Sequence, residues 1–175
     1  MDKARRLGVW LLAALLVAGM SMTVWAGQWQ EDEAGARYYA EDGVIVSGWQ
    51  EIDGDWYYFD ADGVMQTGWV RTADNGKWYY LDAETGVWIS KPQRSQETVC
   101  HLLENWHIDN HYYQTETEEV LYFVTHEDNK EYQIQVCYED LPEHYVVLNR
   151  YTVRKSTGKT TDENAGHNFV MGFAK

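Results

Sequence analysis

Three copies of a unit of about twenty residues occupy positions 27 to 90, and this repetition narrows what the chain can fold into. Trp29, Trp49 and Trp69 stand 20 positions apart. Each unit also has a Tyr-Tyr pair and closes on a glycine: the pairs are Tyr38-Tyr39, Tyr57-Tyr58 and Tyr79-Tyr80, and the glycines are Gly43, Gly63 and Gly86. Units this short cannot bury a core alone, so they must stack on one another.

Each unit is predicted to be a β-hairpin followed by a loop. In the middle copy, the aromatic and branched runs 49–52 and 56–59 are separated by Asp53-Gly54, a strong signal for a two-residue hairpin turn. The third copy has Asn75-Gly76 in the corresponding place.

The hairpin strands are aromatic on both faces. Strand alternation puts Trp56 and Tyr58 on one face and Tyr57 and Phe59 on the other. One face can then pack inward while the other meets the neighbouring unit. Aromatic side chains of successive hairpins can thus form a core and also wall a notch between units.

The first 26 residues are predicted to be a secretory signal peptide. They combine a basic start, an apolar run from Leu7 to Met20, and small residues around Val24-Trp25-Ala26. The apolar run is about 14 residues, shorter than the roughly 20 that span a bilayer, so an uncleaved membrane anchor is the weaker alternative.

The part after residue 26 is strongly acidic. The chain has 14 basic and 28 acidic residues, and residues 1–26 hold three and one of them, which leaves 11 minus 27, or −16. Nucleic acid and anionic lipid are poor partners for such a surface. A cation is a better one.

The composition changes near Pro92, which marks a predicted domain boundary. Residues 27–90 hold 13 aromatic residues and no His or Cys, whereas all six His and both Cys follow residue 90. The predicted organisation is residues 1–26 as signal peptide, 27–90 as repeats and 91–175 as a small second domain. The fold class is mainly β: a short β-hairpin solenoid of about three repeats followed by a small α+β domain.

The repeats resemble a known family through their Gly-Trp, Trp-Tyr-Tyr-Phe-Asp and Asp-Gly-Val-Met-Gln-Thr-Gly-Trp elements. They look like the choline-binding, or cell-wall-binding, repeat of Gram-positive surface proteins and phage lysins. The resemblance implies hairpins stacked as a left-handed β-solenoid, with the quaternary ammonium of choline on teichoic acid held between consecutive repeats. Because that group donates no conventional hydrogen bond, aromatic ring faces are the natural walls.

The resemblance also implies a ligand site between copies two and three. By position, Trp49, Trp56 and Met65 form walls, and the following hairpin closes the site with Trp69, Trp78, Tyr79 or Tyr80. The first copy departs from the pattern, since Arg37 stands where the second Trp is expected and repels a cation. Two alternatives stay open: the aromatic residues form only a solenoid core, or the repeats bind a glucan or another wall polymer by sugar stacking.

The C-terminal region is predicted to be a helix followed by an antiparallel sheet. Val99, Leu102, Leu103 and Trp106 have helical spacing over 96–106, with Ser95 as N-cap. Strand patterns cover 120–125, 132–138 and 145–153. This arrangement loosely resembles the small PepSY-type domains of exported bacterial proteins, chiefly through residues 151–159.

No catalytic motif points to an enzyme. Cys100 and His101 are adjacent, and neighbours on a helix point about 100° apart, which disfavours a nucleophile pair. A possible metal-binding cluster consists of His101, Glu104, His107 and His111, but the sequence does not establish that these side chains lie on the same face of the helix. We therefore expect no catalytic residue, metal or cofactor. The competing hypothesis is a cell-wall hydrolase whose catalytic part is 91–175.

The sequence does not decide whether Cys100 and Cys137 form a disulfide, since Cys137 is predicted to point away from the helix.

The sequence as a whole predicts an exported protein at the cell surface of a Gram-positive bacterium. Its repeats dock on a cell-wall polymer, either choline on teichoic acid or a glycan, and residues 91–175 contact a protein partner.

Overall fold

A computed structural model describes residues 27–113 and 119–174. The predicted signal peptide lies outside the described residues. Within them the chain forms one helix and twelve strands, and every strand pairing is antiparallel. The predicted mainly β fold, with hairpin repeats and a small helix-plus-sheet part, is confirmed.

The repeat region consists of three successive antiparallel units. Their strands are β1 (Gln28–Glu31), β2 (Arg37–Glu41), β3 (Val44–Ile45), β4 (Gly48–Ile52), β5 (Asp55–Phe59), β6 (Gly68–Arg71) and β7 (Trp78–Leu81). The middle hairpin turns through Asp53 and Gly54 at φ of 54° and 91°. Positive φ at both central residues is what a type I′ turn requires, so the two-residue turn predicted at Asp53-Gly54 is confirmed.

In the second and third units, a short return segment after the second strand ties the unit to the previous one. Met65 bridges Phe59 within its own unit, and its N–H donates to the carbonyl of Arg37 at 2.7 Å. In the next unit Trp88 bridges Leu81, and its N–H donates to the carbonyl of Trp56 at 2.8 Å. These hydrogen bonds fix the register in which the units stack.

The two faces of β5 divide their aromatic side chains as strand alternation predicts. Trp29 contacts Tyr57 and Phe59, with ring centroids 5.0 and 5.9 Å away. Phe59 is fully buried and shares a core with Ile52 and Met65. The opposite face carries Trp56, whose ring lies 6.4 Å from that of Trp49.

The C-terminal part is one helix on a five-stranded sheet. The helix α1 (Gln96–Asp109) begins at Ser95, whose hydroxyl accepts a hydrogen bond from the N–H of Thr98 at 3.0 Å, so the predicted N-cap is confirmed. The strands are β8 (Val120–Glu127), β9 (Glu131–Leu141), β10 (His144–Arg154), β11 (Lys159–Asp162) and β12 (Asn168–Val170), paired in sequence order.

The helix buries Val99 and Leu103 against this sheet, where they meet Ile134, Val136 and Tyr151. The three predicted strands are longer than their sequence patterns, and β11 and β12 were not predicted. β11 is a polar strand that pairs with the edge of β10, and the three-residue β12 pairs in turn with β11, so neither has an apolar alternation long enough to be recognised in the sequence.

Both cysteines are free thiols, so the disulfide left open by the sequence is not formed. Cys100 contacts the core that Ile134 and Val136 enter. Cys137 follows Val136 on β9 and points to the other face of the sheet.

Candidate functional site

An open notch between the second and third units is walled by four aromatic side chains. They are Trp49, Trp56, Tyr79 and Trp88, around a volume of about 130 Å³. The ring of Trp49 lies 4.9 Å from Tyr79 and 6.2 Å from Trp88, and it meets both edge-on. Trp56 and Trp88 remain 41% and 38% exposed, so the notch opens to solvent.

The backbone register sets the distances between these walls. Trp49 on β4 is paired with Tyr58 on β5, and Trp56 lies two residues earlier on the same face. Tyr79 on β7 and Trp88 on the return segment belong to the third unit. The hydrogen bond from the Trp88 N–H to the Trp56 carbonyl holds the two units at this spacing.

The electrostatics of the notch favour a soft positive charge. Aromatic ring faces carry a negative quadrupole, and they attract a cation within about 6 Å of the ring centroid. The carboxylate of Glu51 stands directly opposite Trp56 across the hairpin, and cross-strand partners share a face of the sheet. None of the four lining residues carries a positive charge.

The structure brings together three of the residues that sequence reasoning placed in the site, namely Trp49, Trp56 and Tyr79. Met65 is instead buried in the repeat core, where its side chain lies against Gly86.

The other three predicted site residues belong to the third unit but lie outside the notch. The rings of Trp69 and Tyr80 are 5.4 Å apart, and Trp69 and Trp78 both contact His101.

Sequence reasoning missed Trp88, although the repeat carried the signal. Gly86-Val87-Trp88 in the third unit corresponds to Gly63-Val64-Met65 in the second. Met65 is therefore the counterpart of Trp88 at the preceding interface, as their matching hydrogen bonds to Arg37 and Trp56 also show.

At the interface between the first and second units, the position that corresponds to Trp56 holds Arg37, a positively charged residue of the chain itself. The guanidinium carbon of Arg37 lies 4.7 Å from the ring centroid of Trp29. Tyr57 contacts the same indole, and the return segment at Met65 closes the unit. An intramolecular cation–π contact thus occupies the place that is open at the second interface.

The C-terminal histidines and Cys100 have other surroundings. Burial raises the pKa of the Cys100 thiol to about 12, with a smaller contribution from Glu104. His107 is buried, its Nδ1 lies 2.9 Å from the Tyr122 hydroxyl and its Nε2 lies 2.9 Å from the Tyr151 hydroxyl. Burial lowers the pKa of His107 to about 4.

Within residues 27–113 and 119–174, no group of three or more His, Cys, Asp or Glu residues is placed to hold a metal ion. A cavity of about 310 Å³ lies beside His107, with Arg71, Glu104 and Tyr122 in its wall. In the same described ranges, the helix is too short and too polar to cross a membrane.

Residues 46–91 match the family model of the choline-binding repeat. This segment therefore carries choline-binding repeats, and the resemblance seen in the sequence is confirmed there. The comparisons give no support to the PepSY resemblance of the C-terminal part. No curated protein sequence matches the chain.

Three solved structures illustrate what the chain is similar to. Choline binding protein F from Streptococcus pneumoniae is 22% identical over 75% of this chain and 41% of its own, with a TM-score of 0.37. The cell-wall endolysin from phage Cp-1, solved with choline, is 18% identical over 86% and 39%, with a TM-score of 0.34. A truncated alternansucrase from Leuconostoc mesenteroides is 19% identical over 69% and 11%, with a TM-score of 0.32. The chain thus spans less than half the length of each.

Proposed function

We propose that this protein is an exported, non-catalytic docking protein that binds a choline-type cation of a bacterial cell-wall polymer. The observation that carries the proposal is the open aromatic notch of Trp49, Trp56, Tyr79 and Trp88 between two units, within the matched choline-binding repeats. The position of this notch between consecutive repeats is the one that the family resemblance implies. The proposed setting is the cell surface of a Gram-positive bacterium, reached through the signal peptide at 1–26.

The strength of binding follows from the number of walls. Four rings at about 0.5 to 2 kcal/mol each, less the cost of immobilising the guest, correspond to a dissociation constant near the millimolar range. One such site retains a protein only weakly. Firm attachment to a polymer that carries many cations requires several sites acting together.

The geometry of the C-terminal part supports a non-catalytic role. A thiol with a pKa of about 12 is not a thiolate at neutral pH, so Cys100 is not an activated nucleophile. Both ring nitrogens of His107 face tyrosine hydroxyls, which leaves neither free to take a proton from a substrate.

The test compares choline with 3,3-dimethylbutan-1-ol, a neutral molecule of nearly the same shape. Tryptophan fluorescence and indole N–H resonances report binding directly, because three of the four walls are indoles. We expect choline to shift these signals at millimolar concentration, and the neutral isostere to act far more weakly. Trp88→Ala should move the response to higher choline concentrations, because it removes one of the four walls.

Three outcomes would overturn the proposal. Equal binding of the isostere would show that the notch recognises apolar shape and not charge. Binding of an isomalto-oligosaccharide without choline binding would assign the notch to sugar stacking. Release of soluble muropeptides from purified cell wall, abolished by Cys100→Ala or His107→Ala, would make residues 91–175 the catalytic part of a hydrolase.

A further inference from the structure

The third unit has the same pair of tryptophans that forms half of the open notch. Trp69 pairs with Tyr80 across its hairpin as Trp49 pairs with Tyr58, and Arg71 pairs with Trp78 as Glu51 pairs with Trp56. The strand pairing determines on which face of a hairpin each side chain lies. Trp69 and Trp78 therefore lie on the same face of the third hairpin as Trp49 and Trp56 do on the second. The unit that would complete a cage on them is absent from the described residues, and α1 lies there instead.

The helix replaces the missing unit at the level of the backbone. The carboxamide of Asn105 accepts from the Trp78 N–H at 2.7 Å and donates to the Trp78 carbonyl at 2.7 Å. At the two preceding interfaces the corresponding carbonyls, of Arg37 and Trp56, accept from a return-segment N–H. The side-chain amide of Asn105 therefore makes the hydrogen bond that a backbone N–H makes between repeat units.

Charged contacts hold the helix in this position. The carboxylate of Glu104 accepts from the indole N–H of Trp78 at 2.8 Å and pairs with Arg71 at 3.1 Å. Lys77 forms an ion pair with Asp109 at the end of the helix.

His101 packs against both indoles, beside a cavity of about 140 Å³ that Trp69 and Trp78 also line. Its imidazole is stacked on Trp78, with 3.9 Å between ring centroids and 29° between planes, and lies 4.8 Å from Trp69. The side chain of His101 is 17% exposed. A planar ring from the helix therefore sits where a guest sits between units.

We propose that Trp69 and Trp78 form a second cation site, which His101 closes in this structure. The ligand class is a quaternary ammonium or a similarly soft cation, and in this respect the inference rests on the proposed function. The Glu97 carboxylate, 3.8 Å from His101 Nε2, supplies the negative charge that favours this class over a neutral sugar, whereas the charge of Glu104 is balanced by its ion pair with Arg71.

The occupant of this site differs in charge from that of the first interface. Arg37 carries a permanent positive charge over the ring of Trp29. Burial lowers the pKa of His101, against the opposing pull of Glu97, so its ring favours the neutral form.

The test is a choline titration of ¹⁵N-labelled protein, followed through the indole N–H resonances of its tryptophans. In the unaltered protein, choline should shift Trp49, Trp56 and Trp88 and leave Trp69 and Trp78 in place. In His101→Ala, Trp69 and Trp78 should also shift, with a dissociation constant within about tenfold of that of the open notch. The matched control is His101→Phe, in which a ring still fills the site and the additional shifts should not appear.

The open notch serves as an internal control in each experiment. If the notch binds choline in His101→Ala but Trp69 and Trp78 do not respond, the protein is folded and the inference is wrong while the proposed function stands. If Trp69 and Trp78 respond and the notch does not, the proposed site is wrong and the second site stands. Should neither respond in a variant with an unchanged amide spectrum, both are wrong.

Discussion

Arg37 lies over the indole of Trp29, with its guanidinium carbon 4.7 Å from the ring centroid, at the position where the next unit has Trp56. The first unit thus has Arg37 where the second has Trp56. The first interface is therefore filled by a cation of the chain itself, whereas the second is open to a ligand. The three interfaces along the stack have Arg37, an open notch and His101 in corresponding positions.

Replacing Arg37 by Trp should create a new cation site at the first interface. Trp29, the new indole and Tyr57 would then wall it, as Trp49, Trp56 and Tyr79 wall the existing notch. Choline titration should reveal a second set of indole shifts, at Trp29, with millimolar affinity.

The matched control for this change is Arg37→Leu. It removes the internal cation without supplying an aromatic wall, so it should bind choline at the existing notch alone. Binding at Trp29 in Arg37→Leu would mean that vacating the position suffices and that the second indole is not needed.

Trp88→Ala should weaken choline binding by about two- to thirtyfold, since one ring contributes about 0.5 to 2 kcal/mol. The side chain is 38% exposed but its ring contacts those of Trp49 and Tyr79, so the substitution also removes packing and should lower the free energy of unfolding by about 1 to 3 kcal/mol. Equilibrium titration followed by tryptophan fluorescence measures the affinity, and urea unfolding measures the stability. Trp88→Phe keeps a ring and should lose less; a loss as large as that of the alanine variant would contradict the cation–π account.

The local parts of this fold could be predicted from the sequence because their signals are local. Asp53-Gly54 specified a turn that needs positive φ twice, and Ser95 capped the helix that the spacing of Val99 and Leu103 indicated. The stacking of units followed from the repeat itself.

The missed parts depend on contacts between distant segments. Trp88 enters the notch because a return segment docks on the carbonyl of Trp56, 32 positions earlier, and no local pattern sets that register. His101 reaches Trp78 because α1 is docked by Asn105, whose polar side chain looks like an ordinary solvent-facing residue in the sequence. Comparing Gly-Val-Met with Gly-Val-Trp between repeats would have found Trp88; nothing in the sequence indicated His101.

Asn105→Leu should loosen α1 from the third unit. The substitution keeps the approximate shape but leaves the Trp78 N–H and carbonyl without the two hydrogen bonds of 2.7 Å. We expect a loss of about 1 to 3 kcal/mol in the free energy of unfolding, and faster hydrogen exchange at the Trp78 amide. Asn110→Ala is the control: it alters an amide at the helix end, where the partner is the Trp106 carbonyl, and should leave exchange at Trp78 unchanged.

His107 should make the protein less stable in mild acid. Its pKa is about 4 in the folded chain, against about 6.5 for an unperturbed histidine. Between these values the unfolded chain binds a proton that the folded chain does not, so stability is full above pH 6.5 and falls as the pH drops toward 4. From pH 7.5 to pH 5 the contribution of this one group is about 2 kcal/mol.

The measurement is urea unfolding at a series of pH values, compared with the variant His107→Gln. Glutamine can still form hydrogen bonds to the hydroxyls of Tyr122 and Tyr151 but does not titrate. The variant should therefore lose less stability than the unaltered protein between pH 7.5 and pH 5, and the difference isolates His107 from the carboxylates, which titrate in both. Parallel stability curves for the two proteins would contradict the prediction. They would show that protonation of His107 does not destabilise the folded state, so that the buried contact with Tyr151 accommodates an imidazolium.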